Sequence, residues 1–393
     1  MFYNYMMNPI VRLKTLCDQM SFEPAEDRNL SGKPYLDKTD NCPDAVFVHP
    51  AILPNGQKIK LLKTLLTSAC ERDCYYCSFR AGRDCRRATF QPEEFARLFT
   101  MLTKKGIAEG IFLSSGITGG GIRTQDKLID TAEILRYKLG FRGYIHLKIM
   151  PGAERPQVER AMQLANRVSI NLEAPNSESL ARLAPNKLFL KELFQPLKWM
   201  DEIRHTQPSY LGWQGRWPSS VTQFVAGGAG ESDLELLYAT QYLYHNLGLK
   251  RVYYSRFNPI PDTPLENQNP TLPIREARLY QASFLLRDYG FNLEELPFES
   301  GGLLPILIDP KLAWAQQNLS ERPIEINSAE RHMLLRIPGI GPKSADIILK
   351  SRRQGKINDM TNLRKMGINA EKAAPFLLFD GGRPPYQPVL FNM

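Results

Sequence analysis

The chain has 393 residues, of which 43% are hydrophobic and 23% charged, and its formal net charge is +9. That apolar content is enough for a sizeable core, and the length fits two or three domains, which excludes a disordered or low-complexity chain. No apolar run of about eighteen residues occurs, and the first twenty residues lack a basic start followed by an apolar stretch, so a cytoplasmic protein without a membrane partner is expected.

Six cysteines are too few for a disulfide scaffold, and three of them crowd between positions 70 and 77, a spacing that points to a metal. Charge is uneven. Residues 321–393 hold twelve Lys/Arg against seven Asp/Glu, a basic end compatible with a polyanionic partner.

In chain order, residues 1–55 form an N-terminal extension, in which Cys17 and Cys42 have no informative spacing. From residue 56 to 319, β-rich runs alternate with amphipathic helical runs. Six strands are expected, near Leu62–Ser68, Gly110–Ser115, Tyr144–Ile149, Arg167–Leu172, Val221–Val225 and Arg251–Ser255.

Between the first two, Pro92-Glu93-Glu94 opens a helix whose Phe95, Leu98, Phe99 and Leu102 repeat at core spacing. Leu234, Leu237, Tyr238 and Tyr242 mark another helix. Right-handed crossovers between such units give an α/β fold, a partial (βα)6 TIM-like barrel, with its chemistry at the C-terminal ends of the strands.

Residues 320–393 are expected to be an all-α domain and tail. Leu335-Arg336, Gly339-Ile340 and Ala345 recur 28 positions later as Leu363-Arg364, Gly367-Ile368 and Ala373, which implies two related helical hairpins.

Cys70, Cys74 and Cys77 form CxxxCxxC directly after the first expected strand, with the aromatic Tyr76 before the last cysteine. Three thiolates suit three irons of a four-iron cluster and leave the fourth iron open. Structural zinc would need a second cysteine pair, which the sequence does not offer. Cys85 reads as an ordinary thiol.

This motif, set in the βα pattern, resembles the signature of the radical S-adenosylmethionine (SAM) superfamily. The resemblance implies an enzyme with a [4Fe–4S] cluster whose open iron binds SAM, an electron donor as partner, and cleavage of SAM to a 5'-deoxyadenosyl radical.

The resemblance also implies SAM-contacting residues. Ser115 and Gly116 stand where a Gly-Gly-Glu-like turn is common, without its acidic residue. Asn171 and Glu173 end the fourth strand, and Gly228 and Glu231 match a strand-plus-GxxE region, with an exposed glutamate or a plain strand-to-helix turn as the alternatives. Asn258 opens a proline-rich segment through Glu266 similar to "PIPGTPLE", with Asp262 where glycine is frequent. Residues 114–121, SSGITGGG, read as a close-packing loop near the cluster.

Residues 335–345 resemble a helix-hairpin-helix motif, which binds a phosphate with backbone N–H groups. Gly339, Gly341, Lys343 and Ser344 are the nucleic-acid-binding residues so implied, with Lys350, Arg352 and Arg353 adding charge. Such hairpins also serve as docking or packing modules.

The whole resembles DNA modification or repair radical SAM proteins with a C-terminal helix-hairpin-helix domain, with DNA favoured over RNA as partner and a monomer as the default. Two rivals stand beside that reading: a radical SAM enzyme acting on a protein or small molecule, and a non-catalytic, redox-sensing, DNA-binding iron-sulfur protein. Trp213 and Trp217 are read as packing residues rather than base-stacking platforms.

Overall fold

A computed structural model describes residues 8–20, 48–53 and 56–386, so Cys42 lies outside the described residues. Two compact units emerge: residues up to Glu231 together with Leu243–Thr271, and Ser232–Tyr242 together with Leu272 onward.

The first unit opens with α1 (Pro9–Asp18), whose N-cap Asn8 accepts from Ile10 N–H. A seven-stranded sheet follows in chain order: β1 (Val48–Ile52), β2 (Lys58–Leu65), β3 (Gly110–Ser114), β4 (Tyr144–Lys148), β5 (Arg167–Ser169), β6 (Ser219–Ala226) and β7 (Arg251–Arg256). All neighbours from β2 to β7 are parallel, while β1 is an antiparallel edge on β2 that the six-strand expectation omits. The run around β1 carries Pro50 and lacks alternation, which hides it from a period-two search.

Because six parallel strands follow one another without a reversal, their twist curls the sheet into the half-barrel expected of a TIM-like fold. β3 and β4 are buried along their whole length, as a sheet covered on both faces requires. β5 has only three residues, shorter than its expected run.

The connecting helices are α2 (Pro92–Lys104), α3 (Gly121–Glu133), α4 (Arg155–Leu164), α5 (Ser177–Leu183), α6 (Gln195–Thr206) and α7 (Asp233–Asn246). α2 follows its sequence closely: Pro92 at its start, Glu93 and Glu94 at the positive end of its dipole, and Phe95, Leu98, Phe99 and Leu102 buried. The apolar residues that mark α7 divide between its faces. Leu237 is buried with Leu236, whereas Leu234, Tyr238 and Tyr242 are exposed, because apolar residues surround this helix and spacing alone does not select a face. Trp217 donates its indole N–H to Gln207 O at 3.2 Å, and Trp213 lies under the Arg136 guanidinium at 3.9 Å, so both are engaged in loop packing.

In the second unit, α8 (Pro273–Asp288) and α9 (Pro310–Asn318) precede β8 (Ile324–Glu325), α10 (Arg331–Leu334), α11 (Pro342–Ser351), α12 (Met360–Lys365), α13 (Ala370–Ala373) and β9 (Leu377–Leu378). β8 and β9 form a short parallel pair, so this region is not wholly helical.

The 28-residue echo has a physical basis here. Leu335, Ile340 and Ala345 are buried, and so are Leu363, Ile368 and Ala373, all in one core. Gly339 (φ +83°) and Gly367 (φ +74°) share a left-handed backbone that L side chains rarely adopt. The copies diverge afterwards, since α11 runs ten residues and α13 four.

Candidate active site

The cysteine loop leaves the sheet directly after β2, and three sets of contacts fix it. On one side Glu71 N–H donates to Ile117 O (2.8 Å), while the Glu71 carboxylate accepts from Gly119 N–H (2.8 Å) and Gly120 N–H (3.0 Å). On the other, Arg72 donates to Asn186 O (2.7 Å) and pairs with Glu192 (2.5 Å), and Tyr75 N–H donates to Leu183 O (2.7 Å). Arg87 staples the loop to itself by donating to the carbonyls of Ser68, Phe79, Arg80 and Arg83 at 2.6–3.2 Å. A planar fork with five donors is suited to gathering carbonyls in this way.

Gly116 lets the loop approach β3. A Cβ there would stand 2.3 Å from the Ala69 carbonyl oxygen and 3.2 Å from Cys70 Cβ. Its N–H donates to Thr67 O (2.7 Å), and the next amide, Ile117 N–H, points at Cys70 Sγ (3.4 Å). The run SSGITGGG is thus a close-packing loop against the cysteines rather than a phosphate cradle.

Cys70, Cys74 and Cys77 line one cavity of about 310 Å³ at the C-terminal end of the parallel strands. Of the residues expected to hold SAM, Tyr76, Ser115, Gly116, Asn171, Glu173 and Asn258 line it too. Gly228 and Glu231 stand outside its lining. The Glu231 carboxylate turns back to accept from Gly227 N–H and from Ala229 N–H (3.1 Å), closing its own turn. Gly228 packs so closely that a Cβ would meet Leu183 and Phe257, each at 2.9 Å.

Sequence reasoning missed Lys187, the partner of Glu173. They form an ion pair at 3.2 Å with both side chains 8% exposed. Glu173 takes φ +66°, while its backbone stays in the ladder through bonds to Gln223 O and from Val225 N–H. Tyr76 also hydrogen-bonds the Glu173 carboxylate, and burial together with that carboxylate holds the phenol well above its usual range.

Lys148, at the end of β4, lines the cavity and donates to Asn171 Oδ1 at 2.5 Å. A lysine inside the apolar run YIHLKIM, at a strand end, was the available signal. Asp262 adopts φ +59°, keeping the left-handed conformation for which glycine is frequent there, and its N–H donates to Glu266 at 2.8 Å.

Burial pushes the Cys74 and Cys77 thiols up, and the neighbouring thiols push further, while the Lys187 ammonium pulls Cys74 down. Among the described residues no three Cys, His, Asp or Glu side chains converge on a single metal ion. Soft donors, mutual proximity and a lysine beside Cys74 make the three cysteines chemically fit for a [4Fe–4S] cluster.

In the second unit, Gly341 N-caps α11 without a side-chain cap, Lys343 is exposed and Ser344 half-buried. A Cβ on Gly339 would stand 2.6 Å from Asn369 O. Arg352 is committed to the carbonyls of Ile326 (3.2 Å) and Ala329 (2.6 Å), so part of the expected local charge serves packing. No described helix is long and apolar enough to cross a membrane.

Residues 64–203 match the family model of the radical SAM superfamily. No curated protein matches the chain. Among solved structures it is similar to the FeFe-hydrogenase maturase HydG from Carboxydothermus hydrogenoformans, at 17% identity over 58% of this chain and 51% of that one, with a TM-score of 0.45. Methylornithine synthase (PylB) gives 16% identity over 58% and 61%, with a TM-score of 0.45. Coproporphyrinogen III oxidase (HemN) from Escherichia coli gives 14% over 65% and 58%, with a TM-score of 0.37. The chain spans about half the length of the hydrogenase maturases it matches. Residues 64–203 are therefore similar to the radical SAM superfamily, whose members use a [4Fe–4S] cluster and SAM.

Proposed function

We propose that this enzyme directs a SAM-derived radical at a nucleotide of a nucleic acid, DNA ahead of RNA, and that Gly339–Ser344 form a helix-hairpin-helix turn gripping the sugar-phosphate backbone. The observation that carries the reading is a radical SAM domain joined in one chain to a basic C-terminal region with two glycine turns of the same left-handed backbone.

Cys70, Cys74 and Cys77 would hold the cluster, on a loop kept in place by Glu71, Arg72 and Arg87. When bound, the cluster supplies the electron that splits SAM into methionine and a 5'-deoxyadenosyl radical. Ser115, Gly116 and Asn258 offer polar and backbone groups to SAM at the cavity wall. The Glu173 carboxylate, held by Lys187 and Tyr76, is the fixed negative charge on that wall. Leu65, Val225 and Phe257 add apolar lining that keeps water from a reactive radical.

At the hairpin, the uncapped N-terminus of α11 presents N–H groups for a phosphate oxygen, and Lys343 adds a cation beside them. The test is anaerobic reconstitution with iron, sulfide, reductant and SAM, reading 5'-deoxyadenosine with and without DNA or RNA. Nucleic acid is expected to raise the yield and to bind with a steep salt dependence, and Lys343→Ala to lower the salt slope by about one. Salt-insensitive or absent binding rejects the nucleic-acid reading, and no SAM cleavage under any condition rejects radical chemistry.

A further inference from the structure

Gln223 lies in β6, three residues before its end at Ala226, and its side chain lines the cavity while only 7% exposed. Its amide oxygen is buried without a hydrogen-bond partner. Buried amides in native proteins are nearly always satisfied, so an orphan at a cavity wall marks a place where a bound molecule completes the bonding. A carboxamide turns readily about its terminal bond, so oxygen and amino group exchange places at small cost.

The surroundings narrow what that molecule is. Lys148 at the end of β4 and Asn171 just past β5 reach the same cavity, and the Lys148 ammonium is bonded to Asn171 Oδ1. Val225, the next inward residue of β6, and Phe257, just past β7, make the wall beyond Gln223 apolar. A carboxamide between a polar floor and apolar walls suits a planar heterocycle carrying a donor and an acceptor side by side on one edge, because both amide atoms are then satisfied at once.

We infer that Gln223 is a substrate-contacting specificity residue whose amide pairs with the hydrogen-bonding edge of a nucleobase, beside the Lys148–Asn171 pair. This rests on the reading of the substrate as a nucleic acid. It assigns to substrate a residue lying deeper in the barrel than the loop residues Ser115, Gly116 and Asn258.

The test uses reconstituted full-length protein saturated with SAM and measures binding of four probes: thymidine, deoxyguanosine, deoxyadenosine and deoxycytidine. At least one is expected to bind, and methylating the donor nitrogen of its edge, as in N3-methylthymidine, should weaken it about tenfold. Gln223→Leu should remove the preference for the unmethylated probe while SAM affinity stays within about twofold of wild type, which also reports that the variant is folded. Failure of all four nucleosides to bind overturns the inference, as does a Gln223→Leu variant that loses SAM affinity. The two readings separate cleanly. Salt-dependent oligonucleotide binding without nucleoside binding removes only the subsite, and nucleoside binding without oligonucleotide binding keeps the subsite and removes the hairpin's role.

Discussion

Gly116→Ala tests whether the cysteine loop is positioned by packing against β3. The added Cβ would lie 2.3 Å from the Ala69 carbonyl oxygen, whereas a carbon and a carbonyl oxygen approach comfortably to about 3.3 Å. The Ala69–Cys70 backbone must therefore retreat by about 1 Å, and its restraint on the far side by Arg72, Tyr75 and Arg87 opposes that movement. Overpacking of this kind costs about 1–3 kcal/mol, and a misplacement of about 1 Å near reacting groups costs about 10²-fold in rate. Iron content and cluster absorbance after reconstitution, measured without SAM, isolate the loop from any SAM contact at Gly116, and 5'-deoxyadenosine yield then gives the rate. Gly355→Ala, where an added Cβ meets nothing within 4 Å, is the control. A Gly116→Ala protein with wild-type iron content and full SAM cleavage refutes the reasoning.

Lys187→Met strands the Glu173 carboxylate in a site where both side chains are 8% exposed, so unfolding in urea should show a loss of about 3–5 kcal/mol, largely recovered by adding Glu173→Leu. Burial pushes Lys311, which donates to Ile340 O at 2.5 Å, down to about 7. The unfolded chain binds that proton up to about pH 10.4, so stability should rise between about pH 7 and pH 10 by at most about 1.4 kcal/mol per pH unit. The rise should be absent in Lys311→Met, and a flat wild-type profile by urea unfolding contradicts it. Burial pushes the Cys17 thiol up to about 12, so iodoacetamide at about pH 8 should spare it and label half-exposed Cys85, as peptide mass spectrometry reads directly.

Periodicity and punctuation carried much of the fold. The parallel strands follow from short apolar runs ended by polar or glycine-rich turns, and α2 from Pro92, Glu93 and its buried stripe, because those signals are local. β1 was illegible because an edge strand is stabilised by its partner β2 rather than by its own pattern. The spacing of Leu234, Leu237, Tyr238 and Tyr242 located α7 but not its buried face, because Leu234, Tyr238 and Tyr242 are exposed.

The cysteine spacing by itself pointed to a cluster with an open iron, since CxxxCxxC is a statement about ligands that one loop can supply. Tertiary structure alone decided what surrounds it: Lys187 on Glu173, Arg87 gathering four carbonyls, Glu71 on the glycine loop, and Gln223 with an unanswered amide. Those partners lie from 4 to 49 positions apart, and a side chain's charge or hydrogen-bonding role depends on what the folded chain brings within about 3 Å of it.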